Sequence, residues 1–218
     1  MFVCVVLLAL RADRPGWAVP AGFLAGALRP TGVALAVPAA VELAQRWRRW
    51  TPAERLAGAA AVAAPPAGTA AFLWWAGHAF GDALAPLRAQ TRPGLRGGVA
   101  HDPFTTVVQA VRGLLSGSPA DATLLLHLPW IAVAVLLLVA GRRRLPASFT
   151  AFAGTMVAVG LTAPGFASFE RYAAAGLPLL VTAAALLDTP RRRRVAAVLG
   201  AACLVGYSLV AFLHWYVP

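Results

Sequence analysis

The chain has 218 residues, of which 60% are hydrophobic and 12% charged, with a mean hydropathy of +0.71. Its 19 basic residues outnumber 8 acidic ones for a net charge of +11, and every basic residue is arginine. This composition excludes an ordinary soluble domain and marks an integral membrane protein; because the arginines cluster between apolar runs, it also argues against nucleic-acid binding.

Met1 to Leu10 is apolar throughout. A helix of that length reaches about 15 Å, half of a hydrocarbon core of about 30 Å, so it cannot span alone. It lacks the basic start and cleavage site of a secretory signal and reads as the second half of a helix, so the chain is expected to be the C-terminal part of a longer protein. From Trp17 to Val41 the only charge is Arg29, followed by Pro30, Thr31 and Gly32. Proline and glycine so close together break a helix, and two geometries fit: one broken span, or two short helices that enter and return. Arginines on both sides of the run favour the hairpin.

Leu56 to Ala76 is long enough to cross, with Pro65-Pro66 expected as an internal kink and Trp74-Trp75 placed for an interfacial aromatic belt. Residues 77–121 form the longest polar connection, a loop with one short interfacial helix near Thr105 to Leu115. Ala122 to Ala140 is the next span, closed by Arg142 to Arg144, and Leu145 to Phe169 follows without a charge up to the Pro164-Gly165 turn. Tyr172 to Leu187 is short for a crossing; Val195 to Val217 is the last span, with His214, Trp215 and Tyr216 as its interfacial anchor. The expected architecture is an all-α polytopic helix bundle of about six to seven membrane segments, broken or re-entrant near Arg29-Pro30, within a single transmembrane domain over 1–218.

Two spans separate the arginines at 46–55 from those at 142–144, and two more separate these from Arg191 to Arg194. All three groups therefore fall on one side, the cytoplasmic one, and the 77–121 loop and the Ser168 to Tyr172 cluster share the extracytoplasmic side.

Few polar groups remain for chemistry. Arg29 in an apolar run either faces the bundle and binds an anion such as phosphate, or sits at a hairpin tip and snorkels. Glu170-Arg171 is either a local ion pair at a helix start or frees Arg171 to hold an anionic ligand. Tyr172 beside it reads as an interfacial anchor. Asp82, after Gly81 and Trp74-Trp75, is the best-placed carboxylate for base work. His101-Asp102 lacks a third ligand, so no metal site is expected. His127 and His214 read as packing or interfacial residues, and Cys4 and Cys203 as small buried hydrophobes.

Three segments together resemble a known family. They are Leu28-Arg29-Pro30-Thr31-Gly32; Phe72-Leu73-Trp74-Trp75 with Phe80-Gly81-Asp82 and Arg88-Ala89-Gln90; and Ser168-Phe169-Glu170-Arg171-Tyr172 with Pro178. In order and spacing, across most of Trp17 to Leu187, they resemble the bacterial PIG-V-like mannosyltransferases. The resemblance implies a GT-C type membrane glycosyltransferase of the bacterial cell membrane. Such an enzyme moves mannose from a polyprenyl-phosphate carrier to an extracytoplasmic acceptor, with the lipid-linked sugar as substrate and no cofactor. It implies Arg29 and Arg171 near the carrier phosphate, Asp82 and Gln90 near the sugar or acceptor, and Tyr172 beside them. It also implies that the family's catalytic aspartate lies upstream of Met1, which leaves Asp82 as the candidate within the chain and the chain inactive alone. The competing readings are a transporter or flippase, which would show internal repeats, and a non-catalytic membrane remnant.

Overall fold

The computed structural model describes residues 1–91, 102–117, 123–166 and 168–213, with the side chains of 90, 91 and 123 excepted. Among the described residues the fold is helical without strands, and eleven α-helices follow one another. They are α1 (Phe2–Arg11), α2 (Pro15–Leu28), α3 (Ala36–Arg46), α4 (Pro52–Phe80), α5 (Ala85–Thr91), α6 (Pro103–Ser116), α7 (Leu128–Gly141), α8 (Ala147–Leu161), α9 (Phe169–Ala175), α10 (Leu177–Leu186) and α11 (Pro190–Phe212). Three helical stretches are long and apolar enough to cross a membrane: Pro52–Phe80, Leu124–Gly141 and Pro190–Phe212. The chain is thus a helical, membrane-associated protein. It divides into two compact units, Met1–Gly98 with Leu145–Thr155, and Val99–Arg144 with Met156–Pro218.

In the first unit the break after α2 follows from its residues. Pro30 disfavours helical backbone at the residue before it, and Arg29 is extended at φ −148°, ψ 135°. A 3-10 turn over Pro30–Leu35 then leads into α3. At the other end, Asp13, just ahead of α2, meets Arg46 and Trp50 at the end of α3. Two helices joined at one end and in contact at the other are antiparallel, so the run is a hairpin, the enter-and-return geometry, with Arg29 to Gly32 at its tip.

α4 carries 29 residues, about 43 Å at 1.5 Å per residue. Thr51 and Glu54 form its capping box, Pro52 fills the first turn, and Gly81 ends it in the left-handed conformation at φ 72°. The helix runs four residues past Ala76, into the stretch expected as loop, and continues through Pro65-Pro66. α2 packs against those prolines through glycines: a Cβ on Gly26 would collide with the Pro65 carbonyl, and one on Gly68 with the Phe23 carbonyl. Thr69 donates its hydroxyl to the Gly26 carbonyl at 2.8 Å, holding the two backbones together.

In the second unit, α6 occupies the position expected for the short helix. Asp102 caps it and Gly117, at φ 71°, stops it. A 3-10 turn, Thr123–His127, feeds α7. Gly141 of α7 faces Thr182 of α10 closely enough that a Cβ would lie 2.8 Å from the threonine hydroxyl. The expected span Leu145 to Phe169 is shorter as a helix. α8 stops at Leu161, and Gly165, Phe166 and Ser168 all take positive φ in the turn before α9. No residue of α11 is buried within its unit. The expected terminal anchor, His214 to Tyr216, and His101 lie outside the described residues.

Candidate functional site

The Ser168 to Tyr172 cluster sits where the turn enters α9. Ser168 caps the helix with left-handed backbone at φ 62°, which reverses the chain and lets Phe169 bury fully behind it. The local Glu170-Arg171 ion pair weighed from sequence is not what forms. Glu170 reaches across to His127, whose Nδ1 lies 2.7 Å from Glu170 Oε1, and His127 is only 5% exposed. Arg171 instead donates to the Ser168 hydroxyl and lies exposed. A hydroxyl is no counterion, so among the described residues its guanidinium has no carboxylate to compensate it. Tyr172 is half-buried, and its hydroxyl makes no hydrogen bond among the described residues.

Beside this pair stands a second polar relay. The Trp130 indole N–H donates to the Tyr207 hydroxyl at 2.7 Å, and that hydroxyl donates to the Leu126 carbonyl at 2.6 Å. Trp130 and Glu170 both line two cavities. One, of about 410 Å³, runs along Cys203, Leu204, Tyr207 and Ala211 of α11. The other, of about 220 Å³, is walled by Val133, Leu137, Ala173 and Leu180. Both are almost wholly apolar apart from the carboxylate. An apolar slot with one carboxylate and a nearby unneutralised arginine suits an amphiphile with an anionic head. Cys203, expected buried, is exposed and lines the larger slot.

The remaining candidates belong to the first unit. Asp82 follows the Gly81 stop of α4, where it accepts from the Leu84 backbone N–H at 3.0 Å and pairs with Arg88. The Arg88 hydrogen bond, with help from the Leu84 and Ala85 amides and the arginine charge, holds the Asp82 carboxyl below the usual carboxylate range. Arg29 is exposed at the hairpin tip with no ion pair or side-chain hydrogen bond among the described residues. Gly26, three residues before it, meets α4 at Thr69. Gln90 lies in α5, and its side chain is outside the described residues. Among the described residues there is no cluster of three or more His, Cys, Asp or Glu that could hold a metal.

Sequence reasoning passed over one constellation entirely. Glu42 of α3 is 0% exposed. Its carboxylate accepts from the Ser148 hydroxyl at 2.6 Å, pairs with Arg46 Nε at 2.7 Å and lies 3.5 Å from Arg11. Arg46 also pairs with Asp13, whose carboxyl is held below its usual range by the Trp50 indole first and by Arg46 and Arg11 after it. The only advance signal was a lone glutamate four residues before an arginine in an apolar segment.

No protein-family model matches the sequence, and no curated protein or solved structure matches it.

Proposed function

We propose that this chain is a membrane glycosyltransferase of the GT-C type, with six to seven membrane segments when the α2–α3 hairpin and the shorter apolar helices are counted. It transfers mannose from a polyprenyl-phosphate carrier to an acceptor on the extracytoplasmic side, with its arginine turns facing the cytoplasm. Support comes from the family-like segments and, above all, from one observation. Arg171, inside the most distinctive of those segments, lies exposed and, among the described residues, has a hydroxyl and no carboxylate as its partner.

An arginine in that condition attracts an anion, and the two apolar slots walled in part by its neighbour Glu170 suit the hydrocarbon chain attached to one. In this reading Arg171 stabilises the charge that develops on the departing lipid phosphate. The base that takes the acceptor's proton is Glu170, oriented by His127. Asp82 is less suited to that role, because an arginine that lowers a carboxyl's proton affinity makes it a weaker base.

The test is transfer of labelled mannose from a polyprenyl-phosphate mannose in membranes containing the protein. Replacing Arg171 by alanine should cut turnover on the order of a hundredfold or more, the usual loss when one transition-state donor is removed. Unchanged turnover in Arg171→Ala removes that residue from the mechanism, and absence of transfer by the unaltered protein in its full-length form sinks the proposal.

A further inference from the structure

The arginine-bearing end of the first unit holds a groove that plays no part in the sugar-transfer reading. It lies where α3 leaves α4, and its volume is about 620 Å³. Ala40, Leu43 and Val62 form an apolar floor, and Trp47, Arg48 and Arg49 form the mouth. The acidic groups nearby are committed elsewhere. Glu42 serves Arg46, Arg11 and Ser148; Asp13 serves Arg46 and Trp50; Glu54 closes the cap on Thr51. Arg48 and Arg49 are exposed, and their side chains hold no ion pair or hydrogen bond among the described residues. Trp47 is held by Arg55, whose guanidinium lies 5.2 Å from its ring centroid and donates to its carbonyl at 2.8 Å.

Three properties of the groove then coincide. It has two guanidinium groups with no carboxylate partner among the described residues, an indole held by Arg55 beside them, and an open wall of Ala40, Leu43 and Val62. It also opens at the N-terminal end of α4, a stretch long and apolar enough to cross a membrane, which sets the mouth at the level of lipid headgroups. We infer that this groove binds one anionic phospholipid, with its phosphate between Arg48 and Arg49 and an acyl chain along the floor between α3 and α4. A zwitterionic lipid fills the floor but carries a cation back to the arginines. Inorganic phosphate satisfies the arginines but leaves the floor bare. Only a lipid with net negative charge answers to both. The inference rests on membrane placement and not on the glycosyltransferase reading.

The test is native mass spectrometry of the detergent-purified chain titrated with phosphatidylglycerol, phosphatidylcholine or inorganic phosphate. Phosphatidylglycerol should bind with a stoichiometry of one above the phosphatidylcholine background. Arg48→Gln with Arg49→Gln should weaken it by about thirtyfold, as two arginines near an anionic headgroup imply. Arg48→Lys with Arg49→Lys, which keeps the charge, should retain most of the affinity and guards against misreading a folding defect. Leu43→Trp, which fills the floor, should weaken phosphatidylglycerol without affecting the arginines. Equal binding of the two lipids, an equal loss from Arg143→Gln with Arg144→Gln in another turn, or no effect of Leu43→Trp overturns the site.

Discussion

His127 and Glu170, 43 residues apart in sequence, meet at 2.7 Å through Nδ1 and Oε1. The contact ties the turn before α7 to the first turn of α9. It also turns the Glu170 carboxylate away from its neighbour Arg171 and toward the apolar slots that it helps to line. One interaction therefore orients the carboxylate and leaves the adjacent arginine without it as a counterion.

Glu170 variants separate these two consequences. Glu170→Ala removes one hydrogen-bond partner of a buried imidazole and should lower stability by about 1 kcal/mol, the usual net contribution of one hydrogen bond. Glu170→Gln keeps shape and hydrogen bonding, so its thermal midpoint in detergent should stay closer to that of the unaltered protein while mannose transfer is lost. A glutamine variant that transfers at the normal rate would remove Glu170 from the base role.

A pH dependence follows from the cap on α6. Asp102 accepts from the Thr105 hydroxyl at 2.7 Å and from the Thr105 and Phe104 amides at 3.0 and 3.3 Å. These bonds, the hydroxyl first, hold its carboxyl below the usual value. A group with a depressed folded pKa contributes fully above its unfolded value, about 3.9 for aspartate, and loses that contribution as pH falls through the folded one. Hydrogen-exchange protection of the first turns of α6 should therefore fall on acidification below about pH 4. Asp102→Asn, which cannot titrate, should show protection independent of pH in that window. Equal acid sensitivity in both proteins would place the cause elsewhere.

What could be read from the residues was local. Arg29-Pro30-Thr31-Gly32 signals its own break because a proline constrains the residue before it, and Asp102-Pro103 with Gly117 brackets α6 by cap chemistry alone. The direction of the chain after Arg29 needed Asp13 to be seen against Arg46 and Trp50, partners that no window of sequence contains. The same holds for Ser148 on Glu42, 106 residues away, and for Tyr207 on the Leu126 carbonyl, 81 residues away. Pro65-Pro66 lie inside one helix, as a single crossing requires, but the close approach of α2 to them is made by glycines distant in sequence, which no window contains.

That close approach is itself testable. Gly26 and Gly68 face the opposing backbone, which unlike a side chain cannot rotate out of the way. Gly26→Ala or Gly68→Ala should raise intrinsic helix propensity yet lower stability by about 1–3 kcal/mol, because overpacking forces α2 and α4 apart. Gly200→Ala, where a Cβ meets nothing within 4 Å, should be neutral or stabilising. Thermal unfolding in detergent reads all three, and a stabilising Gly26→Ala would contradict the packing described.

The buried Glu42 constellation supplies the last prediction. A fully buried carboxylate persists only if its partners offset the loss of water, and here Arg46, Arg11 and the Ser148 hydroxyl surround it. Glu42→Ala strands Arg46, which is itself only 13% exposed, and removing one member of a buried pair costs about 3–5 kcal/mol. Asp13 remains as a second counterion to Arg46, so the loss should fall at the lower end of that range. Ser148→Ala removes one hydrogen bond to a charged acceptor and should cost about 1.5–3 kcal/mol. The two losses should not add, because once Glu42 is gone the serine has no carboxylate to serve. A double-mutant cycle in mixed-micelle unfolding measures this directly. A coupling of about 1 kcal/mol or more between Glu42 and Ser148 is the expected result. Simple additivity would mean that the α3 carboxylate and the α8 hydroxyl do not share a bond, and would dissolve the network that joins α1, α3 and α8 within the first unit.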